Sequence, residues 1–174
     1  KHILVCPNLT CACFEKIMNG DVSESQMGAF LIALRMRGEQ VADIAAAAAV
    51  MRQKANTITA SDATMDIVGT GGDGFGTYNI STASAFVVAG CGIPIAKHGN
   101  KAVSSQSGAA DVLSALGIKL DCDFVSVKQA LDEANIAFLM APRHHAAMCH
   151  VAPVRAALGA VSYTHLRAHE TRFY

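Results

Sequence analysis

The chain has 174 residues, 52% of them hydrophobic, and a formal net charge of +0. That is enough for one domain, or for a small domain with part of a larger one. The lack of a basic excess, 6% aromatic content and no Trp speak against a nucleic-acid partner, and no uninterrupted apolar run approaches the ~20 residues of a membrane span.

Residues 1–11 show no clear period. A first helix is predicted over 12–18, stopping at Asn19-Gly20. Ser23 and Gln26 match a capping box, and Met27, Phe30, Leu31 and Leu34 recur at helical spacing behind it. Gly38 suits the position just past a helix end. A third helix is predicted over 41–54, with alanines at 45–49 that permit close helix–helix contact, either within the core or with a second copy. Residues 55–64 are small and polar and read as a linker.

Beyond the linker the pattern becomes strand, glycine turn, helix, repeated. Strands are expected at 65–68, 93–96, 118–120 and 136–140, with helices at about 80–89, 107–116, 126–134 and 144–158. The predicted fold class is α/β: a small N-terminal helical domain followed by a partial, mainly parallel sheet with covering helices. The expected divisions are 1–64, 65–160 and a tail at 161–174. The six cysteines, Cys6, Cys11, Cys13, Cys91, Cys122 and Cys149, form no CxxC pair. With no secretory leader recognised, a reduced, cytoplasmic protein is expected.

The most informative stretch runs from Asp66 to Thr82. Glycines at 69, 71, 72, 74 and 76 are costly to order. They allow backbone N–H groups to approach a bulky anion, and the helix that opens near Asn79 adds its dipole. Gly69, Gly71 and Gly74 satisfy G-x-G-x-x-G, but the next strand ends in Lys97-His98 where a dinucleotide site wants an acidic residue. A Walker loop is excluded because Phe75-Gly76 follows Gly74. Lys97 supplies a point charge at a strand end. Gly99 allows close backbone approach, and Ser104, Ser105 and Ser107 add hydroxyls ahead of the next helix. Asp73 either holds a sugar hydroxyl or caps the turn. His98, His144, His145 and His150 show no zinc spacing.

The spaced motifs GTGGDG at 69–74, NIST at 79–82, KHGN at 97–100 and VSSQSG at 103–108, with APRHHAAMCHVAPVRAALG at 141–159, resemble anthranilate phosphoribosyltransferases. The resemblance covers roughly 12–159. It implies transfer of phosphoribose from phosphoribosyl pyrophosphate to anthranilate, with Mg2+, in tryptophan biosynthesis, by a homodimer joined through its helices. Carried over by motif, the donor would meet Gly69, Gly72, Asp73, Thr77, Asn79, Ile80, Ser81 and Thr82. It would also meet Lys97, His98, Gly99, Asn100, Lys101, Ala102, Val103, Ser104 and Ser105. Anthranilate would meet Gly69, Asn100 and Arg155, and Ser81 would reach the metal. No residue is assigned as acid or base.

The resemblance has departures. Ala109 replaces a serine common in the family. The similarity fades near Ala160, and the family's magnesium-holding Asp-Glu pair would lie further on. The tail VSYTHLRAHETRFY therefore suggests a truncated or frameshifted gene or a cloning scar, and an inactive or impaired enzyme. The alternatives are a non-catalytic helical dimerisation or anion-binding module, and a nucleoside-phosphorylase-like relative.

Overall fold

The structure, a computed structural model, describes residues 7–69, 78–101 and 108–159. They fall into two units. One comprises 7–56 with 145–159; the other comprises the described residues from 57 to 144.

The first unit is helical. Helix α1 spans Pro7–Asn19, α2 Glu24–Arg37 and α3 Val41–Gln53. Helix α1 begins five residues before the expected start. Its Thr10, fully buried, donates a 2.8 Å hydrogen bond to Asp43 of α3, a tie between distant residues that periodicity does not reveal. Helix α2 opens on the predicted capping box: Gln26 N–H donates to Ser23 Oγ at 3.3 Å, and Ser23 N–H donates to the Gln26 side chain at 3.0 Å. It stops at Gly38, whose φ of 84° suits glycine. Met27 and Leu34 are buried, and Phe30 and Leu31 pack against the same core.

That core also contains Ile17, Met18, Val50, Val151 and Val154. The last two explain why 145–159 belong here, although the sequence placed them with the sheet. The single helix expected over 144–158 is two pieces, and a short helix ends where it was to begin. Helix α7 is Ala141–His144, a 3-10 turn covers Ala146–His150, and α8 is Ala152–Ala157. Pro153 lacks the N–H that an unbroken helix needs.

The second unit is a three-layer α/β arrangement. Strand β1, Ile95–Gly99, pairs in parallel with β2, Ile136–Met140, from Ile95 opposite Ile136 to Gly99 opposite Met140. Helix α4, Ile80–Gly90, covers one face through Ala85 and Ala89 against Ile95 and Ile136. Helix α6, Phe124–Ala134, covers the other through Val127 and Leu131 against Ala96, Ala137 and Leu139. This alternation follows from the two-residue period of a strand. Helix α5 is the short Ala109–Ala115.

The α/β class holds, with corrections in the strands. Residues 65–68 reduce to one bridge, Met65 to Ile95. Residues 118–120 form no strand: Gly117, at φ 82°, turns the chain and Ile118 N–H closes back on Leu113. The strand expected at 93–96 lies at 95–99, because the 91–94 stretch turns at Gly92 and contains Pro94. Helix α6 starts two residues early because Asp123 caps it, accepting from Ser126 N–H at 2.7 Å.

Candidate functional site

In an open parallel sheet, ligands gather beyond the carboxyl ends of the strands. Here that end holds Ile67 to Gly69, Lys97 to Lys101, and the start of α4. Asn79 caps α4 by accepting from Thr82 N–H at 3.2 Å. Ser81 Oγ lies 3.4 Å from the same Asn79 oxygen.

Lys97 joins these segments. It is only 2% exposed. Its Nζ donates to the Ile67 carbonyl at 2.6 Å and to Ser81 Oγ at 3.4 Å. The point charge expected at the strand end is therefore a buried brace. It draws together β1, the approach to the glycine loop and the α4 N-terminus. Desolvation pushes the Lys97 ammonium below its ordinary value, and the Asp66 carboxylate opposes that shift in part. Asp66 also accepts from His98 N–H at 3.1 Å. Asp66 therefore pins the end of β1 twice, by charge and by hydrogen bond. Sequence reasoning missed this role. The available signal was a lone carboxylate opening an apolar strand opposite a strand that ends in Lys-His.

Gly99 has a packing reason for its missing side chain. A Cβ there would sit 2.8 Å from the Phe138 ring and 3.1 Å from Ala109 Cβ. Asn100 is exposed; its carbonyl accepts from Ala110 N–H at 3.2 Å, and its side chain accepts from Lys101 N–H at 2.8 Å. Gly69 and Ile80 are exposed, while Thr82 is buried with its Oγ1 lacking a hydrogen-bond partner. Arg155 lies on α8 in the helical unit, half-buried, its Nε likewise buried without a partner. Gly72, Asp73, Thr77, Ala102, Val103, Ser104 and Ser105 lie outside the described residues.

A cap of main-chain donors at α4, braced by a buried lysine, is suited to holding an anion. No group of three His, Cys, Asp or Glu side chains gathers among the described residues. Of the other histidines, His144 is buried edge-on to Phe124 at 5.0 Å, and His150 packs on the Gly20 backbone.

Residues 9–55 match the helical bundle domain of the glycosyl transferase family, and residues 61–164 match that family's a/b domain. The chain belongs to the glycosyl transferase family. Its curated relatives are anthranilate phosphoribosyltransferases. The one from Azospirillum brasilense is 63% identical over 142 residues, covering 82% of this chain and 40% of the relative. The one from Rhodospirillum rubrum is 59% identical over 146 residues, covering 84% and 42%. Among solved structures, the Thermus thermophilus enzyme aligns with a TM-score of 0.82 at 43% identity, covering 90% of this chain and 48% of that one. The Saccharomyces cerevisiae enzyme in complex with PRPP and Mg aligns with a TM-score of 0.78 at 31% identity, covering 89% and 47%. The motif resemblance is thus borne out, and the chain spans about 40% of the length of the curated relatives it matches.

Proposed function

We propose that this chain supplies the helical bundle and the donor-binding segment for transfer of phosphoribose from phosphoribosyl pyrophosphate to the amine of anthranilate, in tryptophan biosynthesis. One observation carries the assignment: Lys97 ties Ile67, at the mouth of the glycine loop, to Ser81 in the first turn of α4. The brace holds main-chain donors in place before the ligand arrives, and preorganised donors stabilise charge most effectively. As pyrophosphate departs, negative charge builds on it and positive charge on the ribose. The α4 N-terminus, braced by Lys97, suits the first of these tasks, and the motif resemblance assigns the segment after β1 to the same donor. Anthranilate brings its own nucleophile and needs chiefly positioning, for which Asn100, Gly69 and the planar fork of Arg155 are suited.

Magnesium belongs to the yeast relative's complex with PRPP. The described residues alone do not fit a resident magnesium site. Ser81 Oγ is neutral and lies 3.4 Å from an ammonium, whereas magnesium prefers carboxylates together with substrate phosphates.

A homodimer through the helical unit fits the same reading. Val41, Ile44, Ala45 and Ala48 form an exposed apolar stripe along α3, and Met36 near the end of α2 is exposed as well. A cytoplasmic location is part of the proposal; among the described residues no helix is long and apolar enough to cross a membrane.

Calorimetric titration with phosphoribosyl pyrophosphate tests the donor assignment, with saturable binding competed by pyrophosphate as the expected result. Absence of any competed binding would sink it.

A further inference from the structure

We infer that Asp66 is a further positioning residue of the donor site: together with Lys97 it ends the parallel ladder beside β1 one step early and so turns the main chain away towards the glycine run. This role rests on the donor reading above, and the motif resemblance does not assign it.

A parallel ladder repeats every two residues. Beside β1 it begins in the ordinary way, at the bridge between Met65 and Ile95. Met65 N–H donates to the Pro94 carbonyl at 2.9 Å, and Ala96 N–H donates to the Met65 carbonyl at 2.9 Å. Two residues on, the same pattern would pair Ile67 N–H with the Ala96 carbonyl and His98 N–H with the Ile67 carbonyl. Neither bond forms among the described residues, and the bridge stays isolated. Both halves of the second missing bond are met by side chains instead. His98 N–H donates to Asp66 Oδ1 at 3.1 Å, and the Ile67 carbonyl accepts from Lys97 Nζ at 2.6 Å.

This exchange keeps the two main-chain groups satisfied while it changes where the chain goes. Main-chain donors committed to a ladder cannot also meet a ligand. With the ladder stopped after Met65, the main chain from Ile67 to Gly69 is released from β1. The Ile67 carbonyl turns to Lys97 Nζ, which also reaches Ser81 Oγ at 3.4 Å in the first turn of α4. Asp66 therefore acts through His98 N–H, and by way of Ile67 on the brace at the α4 N-terminus. As a carboxylate it would repel a phosphate, so its place beside the donor site is explained by what it holds rather than by contact with the donor.

The test compares Asp66→Ala with Asp66→Asn, which keeps an acceptor oxygen for His98 N–H. Asp66 is exposed, so neither substitution leaves a cavity in the core. Amide exchange without ligand reads the ladder. In Asp66→Ala, His98 N–H should turn to the Ile67 carbonyl and close the next rung, and the Ile67 amide should then exchange at least about tenfold more slowly. Asp66→Asn should restore the faster exchange. By calorimetry, phosphoribosyl pyrophosphate should bind Asp66→Ala at least about tenfold more weakly, because the preorganised donors are lost. Asp66→Asn should recover affinity to within about threefold, the neutral acceptor being weaker than the charged one. A side chain that merely stabilised the fold would make Ile67 exchange faster in the alanine variant, not slower. Unchanged or faster Ile67 exchange in Asp66→Ala overturns the inference. So does an asparagine variant that behaves as the alanine variant does, or a donor affinity indifferent to Asp66→Ala. If the wild-type chain binds no phosphoribosyl pyrophosphate, the donor reading fails, while Ile67 exchange still decides whether Asp66 ends the ladder.

Discussion

Lys97 Nζ donates a 2.6 Å hydrogen bond to the main-chain carbonyl of Ile67, thirty residues earlier, and is nearly sealed from water. Lys97→Met keeps most of the volume and removes the donor. It is expected to cost about 1–3 kcal/mol, the usual penalty for a buried carbonyl left unpaired. Donor affinity should fall as well, because the α4 N-terminus loses its brace. Denaturant melts and calorimetry on the same samples check both effects; unchanged stability and affinity would remove Lys97 from the site.

The same residue sets an alkaline pH dependence. Its folded value lies below the ordinary 10.5, so between the two the unfolded chain binds more protons. Stability attributable to Lys97 therefore rises with pH across that window. Lys97→Met should flatten this slope in denaturant titrations, and an unaltered slope would assign it to other groups.

Asp43 predicts the opposite limb. Burial pushes its carboxyl up, but the Gln40 N–H, the Thr10 hydroxyl and the Arg37 guanidinium outweigh burial and hold it below 3.8. The stabilisation it contributes is complete above 3.8 and is lost as pH falls through the folded value. Asp43→Asn should cost about 3 kcal/mol, since Arg37 loses a buried partner. The variant should also show a shallower acid limb, measurable by thermal melts across the acid range.

Asn79 separates helix stability from ligand binding. Asn79→Asp keeps the oxygen that caps Thr82 N–H and adds a negative charge that the helix dipole favours. Stability should hold or rise by about 0.5 kcal/mol. Binding of phosphoribosyl pyrophosphate should weaken at least about tenfold, because like charges then meet at the α4 N-terminus. Equal affinity in both forms would place the anion elsewhere.

Gly99 and Phe138 form a testable pair. Gly99→Ala puts a methyl 2.8 Å from the Phe138 ring and should cost about 1–3 kcal/mol through overpacking. Phe138→Leu in the same chain should recover much of that loss, a coupling that a double-mutant cycle reads directly. Additive losses would show that Gly99 is required for another reason.

Local chemistry was legible in the sequence. The Ser23–Gln26 capping box, the stop at Gly38, the Met27–Leu34 stripe and the α4 start near Asn79 depend on neighbours within a few residues, and the strand at 136–140 shows as a short apolar run bounded by Asn135 and Pro142. Periodicity and capping patterns record such neighbours. The spaced glycine, NIST and KHGN motifs likewise pointed to the family that the comparisons show. What depends on distant partners was not legible. The sequence marked Lys97 as a charge, but only packing decided that its ammonium turns inward to Ile67 and Ser81. It marked Gly99 as a point of close backbone approach to a ligand, whereas the Phe138 ring is what leaves no room for a side chain there. It kept 144–158 as one helix beside the sheet, whereas Val151 and Val154 complete the helical core and Pro153 divides the run. The sequence by itself determined the helices α2 and α4 with their caps, the strand at 136–140 and the family. The tertiary structure decided which polar groups are buried and what they hold, because desolvation and close packing are properties of residues brought together from far apart in the chain.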